Sequence, residues 1–135
     1  MSNPWSKYIG IPFADGGRSA QGVDCYGLLW LILRDHFGIE IPSFSCYKDA
    51  ADSAVPDLLC SGSHDSDVWT PADGHARAGD ALVFRVGLHP RHVAMAIDST
   101  RMIHMEERTL SCIEYSTCRV WERRLWGRFR HAQLA

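Results

Sequence analysis

The chain has 135 residues, 46% of them apolar, 10% aromatic and 22% charged, with a formal net charge of −2. Such a length and composition fit one domain with a real core and exclude collagen, coiled coil and wholesale disorder. The balanced charge advertises neither nucleic acid nor an anionic membrane as a partner. The longest apolar run, residues 28–33, falls far short of the roughly 20 residues a membrane span needs.

The opening MSNPWSKYIG has no basic stretch followed by an apolar one, so no export signal is expected and the protein is expected to be cytoplasmic when made. The five cysteines, Cys25, Cys46, Cys60, Cys112 and Cys118, are an odd number without a CxxC pair. That argues against a disulfide scaffold and for a reducing compartment.

The strongest helix signal lies over residues 24–38. Asp24 is a good N-cap, its carboxylate able to accept free first-turn N–H groups. Gly38 is a good residue to end on, and Pro42 follows where a helix could not resume. Between them, CYGLLWLILRDHF is apolar on nearly every side until Arg34, which predicts a helix packed in the core. The segment from Ser43 to His75 is acidic, with six Asp against one Lys. It reads as loops around one short helix over 47–59, limited by Pro56.

The second half reads as β. Gly79-Asp80 signals a turn and Ala81–Val86 a strand. Residues 92–97 alternate, with Val93, Met95 and Ile97 on one face and His92, Ala94 and Ala96 on the other. Further strands are expected over 102–106, 113–115 and 120–129. A buried helix followed by an antiparallel sheet is an α+β plan.

Cys25 is the first residue of the predicted helix, where unpaired N–H groups and the helix dipole favour a thiolate. Its own N–H could also serve an oxyanion. A nucleophilic cysteine needs a base, and the base needs a group to orient it. His92 has small same-face neighbours, and His104 sits between Ile103 and Met105 where an unpartnered polar group is costly. The two can meet only if they share a face of the sheet. That requires an odd-length loop or a bulge between Ile97 and Met102, because a two-residue turn at Ser99-Thr100 puts them on opposite faces. The other histidines, His36, His64, His75, His89 and His131, read as solvent-exposed. A zinc set of Cys25, His89, His92 and His104 lacks any recognised ligand spacing, so no metal and no cofactor is expected. The C-terminal WERRLWGRFR interleaves rings and arginines as a single-strand nucleic-acid platform would. It reads better as a strand with its aromatics inward and arginines outward, so no nucleic-acid partner is expected.

Taken in order, GIPFADGGRSAQGVDCYGLLW, AGDALVF, HVAMAID and RMIH resemble the NlpC family of papain-like cell-wall cysteine peptidases, over most of the chain. GRSAQGVDCYGL with the later GIEIP looks most like its phage and prophage tail-associated members. The resemblance implies a papain-like (NlpC-type) α+β fold with Cys25 as nucleophile, His92 as base and His104 as the orienting residue. It implies hydrolysis of the γ-D-glutamyl–diamino acid bond of peptidoglycan stem peptides through a thioester. It also implies a substrate of that class, possible phage tail partners, no membrane partner, and the virion tail as a destination. The family often has Tyr where Phe13 stands, and that phenol is thought to serve the oxyanion site. Phe13 cannot donate, which leaves Tyr8 or Tyr26 to substitute beside Asp24 in the candidate oxyanion and substrate set. The same departure favours the alternative of a weakly active or non-catalytic tail assembly protein that keeps the fold.

Overall fold

The protein is described by a computed structural model covering residues 3–42 and 68–134. The helix expected over 47–59, with Cys46, Cys60 and His64, lies outside the described residues. A glycine-rich ribbon, β1 (Arg18–Ser19) paired with β2 (Gly22–Val23), leads into helix α1 (Cys25–Ile32). As expected, Asp24 caps α1, accepting the Gly27 N–H at 2.7 Å. Beyond Ile32 the helix widens into one looser turn, Leu33–Phe37. There the Leu33 carbonyl accepts from both Gly38 and Ile39, and Gly38 takes the left-handed conformation (φ 70°) that glycine adopts without cost.

Six strands among the described residues form one antiparallel sheet: β3 (Trp69–Pro71), β4 (Ala81–Val86), β5 (His89–Ala96), β6 (Arg101–His104), β7 (Cys112–Tyr115) and β8 (Leu125–His131). Their order across the sheet is β3-β8-β4-β5-β6-β7. The predicted strand over 120–129 is corrected in part. Its first half is a short helix, α2 (Arg119–Arg124), whose last turn gives way at Leu125 to β8. Long arginines and Glu122 favour a helical turn there, and the tertiary position of Trp121 fixes it.

The sheet has an apolar layer on each side. Val83, Val93, Met95 and Ile103 pack with Leu28, Leu29 and Ile32 of α1 on one face. Leu82, Phe84, Ala94, Ala96 and Met102 pack with Trp121 of α2 on the other. Trp121 and the half-buried Phe129 do turn inward, but Trp126 is exposed, contrary to expectation. The parity condition for the two histidines is met. Residues 98–100 form a three-residue loop closed by the Ile97 N–H on the Arg101 carbonyl, and Ala94 lies opposite His104.

Close backbone approach explains the glycines before and inside α1. A methyl group at Gly27 would lie 2.1 Å from the Gly17 carbonyl oxygen, and one at Gly17 would lie 2.3 Å from that of Gly22. Gly27→Ala must therefore push the helix start off the ribbon. It is expected to cost about 1–3 kcal/mol, the usual range for overpacking, read as a lowered denaturant midpoint at unchanged slope.

Candidate active site

Cys25, at the first turn of α1, and His92, on β5, line one cleft of about 240 Å³ together with Phe13, Arg91, Trp121 and Arg124. They approach it from opposite sides of the sheet, the cysteine with the α1 layer and the histidine with the Trp121 layer. The junction is a β-bulge. Phe84 pairs with His92 but Arg85 pairs with Pro90, so Arg91 is an extra residue on β5. Its carbonyl lies 3.9 Å from the Cys25 sulfur, within reach of a weak S–H donor.

His92 Nε2 lies 2.8 Å from His104 Nδ1, which leaves Nδ1 as the other ring nitrogen of His92, a residue that shares the cleft with Cys25. His104 is fully buried, and its own Nε2 lies 2.5 Å from Glu114 Oε2. The same carboxylate oxygen accepts the Trp121 indole N–H at 3.1 Å. The Trp121 ring stacks on His92 (centroids 5.5 Å apart, 28° between planes) and stands edge-on to His104. Neither Glu114 nor Trp121 stood out as a site residue in the sequence. The one signal for Glu114 was its place two residues from Cys112 on the strand opposite His104. Trp121 was hidden in the arginine–aromatic stripe.

The electrostatics correct one expectation. Helix-start geometry favours a thiolate at Cys25, but burial outweighs it and, with the Asp24 carboxylate, pushes the thiol up to about 11. The Val93 and Tyr26 amides and Arg18 pull more weakly the other way. Burial also pushes His92 down to about 3, with His104 and Arg124 adding to the effect. The cleft is thus lined at rest by a neutral thiol and a neutral imidazole.

Three of the four residues nominated for the oxyanion or substrate site lie elsewhere. Asp24 is fully buried, holding the Gly27 and Gly16 N–H groups and the Arg18 guanidinium. Tyr26 donates its hydroxyl to the Pro42 carbonyl at 2.6 Å. The Tyr8 hydroxyl is buried without a hydrogen-bond partner among the described residues. None of the three lines the cleft, whereas Phe13 does. The Asp24 cap holds the Gly27 N–H, and Cys25 opens the helix, as the sequence predicts.

His36, His75 and His89 are exposed as expected, but His131 is buried edge-on against Trp69. Metal-capable donors do cluster among the described residues, though in a different set from the one weighed in the sequence. His104, Cys112 and Glu114 offer ligand atoms within 4.8 Å of one another. In the structure His104 Nε2 is engaged by Glu114.

A family model described as the NlpC/P60 family matches residues 10–130. The chain belongs to the NlpC/P60 family. It is 23% identical over 104 residues to the Murein DD-endopeptidase MepS/Murein LD-carboxypeptidase of Escherichia coli (strain K12), covering 77% of this chain and 47% of that protein. It thus spans about half the length of the curated relatives it matches. Among solved structures it resembles an NLP/P60 protein similar to lipoprotein from Staphylococcus aureus (TM-score 0.61, 26% identity, covering 93% of this chain and 38% of that one). The NlpC/p60 domain of the peptidoglycan hydrolase SagA shares the fold over 91% of this chain and 89% of its own, at TM-score 0.60 and 20% identity. These neighbours fit the α+β papain-like architecture read from the sequence.

The buried neutral thiol carries a test. Alkylation of Cys25 by iodoacetamide is expected to rise about tenfold per pH unit from about pH 6 to pH 9, because only the thiolate reacts. The exposed Cys118 is expected to be labelled first at neutral pH, reversing the order that helix position alone implies. Asp24→Asn keeps a capping oxygen but removes the charge that raises the thiol, so it should speed Cys25 labelling at fixed pH. Peptide mapping by mass measures all three. A labelling rate already flat below pH 7 would show a preformed ion pair instead.

Proposed function

We propose that the protein is a cysteine hydrolase that cleaves peptidoglycan stem peptides. The observation that carries this is that Cys25 and His92 line one cleft, with the buried His104 in contact with the far nitrogen of His92, in a chain of the NlpC/P60 family. Arg91 and Arg124 line that cleft, and so do Glu106 and Glu107. Such a mixed lining suits a peptide that carries both free carboxylates and amines. Murein endopeptidase activity in the name of the E. coli relative supports the same substrate class.

In the mechanism this geometry supports, His92 Nδ1 takes the Cys25 thiol proton as the sulfur attacks the scissile carbonyl carbon. The oxyanion forms at the Cys25 N–H. As the C–N bond breaks, the imidazolium returns that proton to the leaving amine and a thioester remains. Water then attacks the thioester with His92 again as base, releasing the acid and the thiol. His104 orients His92 throughout. The γ-D-glutamyl–diamino acid bond is the one proposed for cleavage, on the motif resemblance. A phage or prophage tail setting rests on the same resemblance, through GRSAQGVDCYGL and GIEIP; peptide mass spectrometry of purified virions tests it.

Phe13 at the cleft wall is the one observation that favours a weakly active or assembly role, since it supplies no second oxyanion donor. Digestion of purified muropeptides, with products read by mass, separates the two. A new free amine on the diamino acid is expected from the native protein. Cys25→Ala should abolish it, and His92→Ala should lower the rate by about 10²–10⁴-fold, the span of general base catalysis. His104→Asn should retain partial activity. Phe13→Tyr should raise kcat by restoring a donor. Silence from both the native protein and Phe13→Tyr would favour the assembly role.

A further inference from the structure

We propose that Glu114, held by Trp121, is a positioning residue that sets the tautomer of His92 through His104; the inference rests on the hydrolase function above. The argument starts at Trp121. An indole N–H only donates, so Glu114 Oε2 accepts it at 3.1 Å, and an ionised carboxylate has only acceptor sites to offer its other neighbour. The same Oε2 faces His104 Nε2 at 2.5 Å, so that nitrogen must carry the proton. In the neutral His104 ring, Nδ1 is then a lone pair. It faces His92 Nε2 at 2.8 Å, so that nitrogen in turn carries its proton. The only lone pair left on the neutral His92 ring is at Nδ1, the nitrogen available to Cys25.

The two imidazole links are held by packing. His104 is fully buried, opposite Cys112 in register, and Trp121 lies against both imidazoles. Trp121 therefore acts twice, as a stacking wall for His92 and as the donor that keeps Glu114 turned inward. Glu114 keeps 43% of its side-chain surface exposed and does not line the cleft, so it touches no reacting atom. Without it, nothing among the described groups dictates which nitrogen of His104 holds the proton. The wrong choice propagates to a protonated Nδ1 on His92, which cannot serve as base.

Nitrogen-15 NMR of histidine-labelled protein at neutral pH tests this without a substrate. The expected pattern is a protonated Nε2 and bare Nδ1 on both His92 and His104. Glu114→Ala should mix the tautomers of both rings and lower kcat about tenfold, the factor a hydrogen bond to a charged group carries. KM should stay within about twofold, because the residue is outside the cleft. Glu114→Gln, whose amide oxygen can still accept, should restore the tautomers and most of kcat, and it also serves if the alanine variant does not fold. In a His104→Asn background, Glu114→Ala should add nothing further. Cys112→Ser should change neither the NMR pattern nor kcat. Native tautomers in Glu114→Ala, a doubly protonated His104 facing a bare His92 Nε2 in the native protein, or equal loss in Cys112→Ser would each overturn the proposal. The last of these would point to a metal on the His104, Cys112 and Glu114 donors. Inactivity towards muropeptides with the expected NMR pattern would sink the hydrolase function and leave the tautomer relay standing.

Discussion

A carboxylate with no solvent exposure, Asp24, ties together the parts on which the site depends. It accepts from Gly27 inside the helix, from Gly16 in the preceding loop, and from Arg18 on the ribbon. Those contacts fix the angle at which the chain enters α1, and with it the position of the Cys25 sulfur and N–H. A buried charge of this kind is tolerated only because every partner is in place. The glycines around it follow from the same constraint, since the Gly17 carbonyl approaches Gly27 too closely for any side chain.

The same charge that positions the cysteine also works against its ionisation. Asp24 and burial both favour the neutral thiol, and burial favours the neutral imidazole of His92. In the hydrolase mechanism proposed above, such a site would transfer the proton at the moment of attack rather than rest as an ion pair. Such a design puts weight on the imidazole being the right tautomer beforehand. On the far side of the sheet that requirement is answered by packing, with Phe84 and Trp121 against His92 and Trp121 against His104.

Much of this was legible in the sequence because it rests on local rules. The cap and glycine stop of α1, the extent of β4, and the alternation that puts His92 with Ala94 and Ala96 all follow from short-range geometry. The odd-length loop at 98–100 could be required by parity before it was seen. What escaped depends on contacts between distant segments. Glu114 is an ordinary strand glutamate until Trp121, seven residues on, brings a donor to it. The sign of the Cys25 shift could not be read because helix position is local, whereas burial is set by the whole fold. The burial of His131 is hidden for the same reason, since its cover is Trp69 on a strand far away in the chain. Tyr26 looked available because its acceptor, the Pro42 carbonyl, is reached only when the chain folds back past α1.

The position of β8 has a kinetic consequence. It is wedged between β3 and β4, so the sheet cannot close until residues 125–131 arrive, on the order of a hundred residues after Cys25 has been made. The Trp121 wall that covers His92 arrives just ahead of them. A nascent chain can therefore form α1 and the β4–β5 hairpin while its imidazoles still stand open to water. The order of synthesis thus brings the Trp121 cover of the cleft last, after the helix that opens with Cys25 and the strand that carries His92.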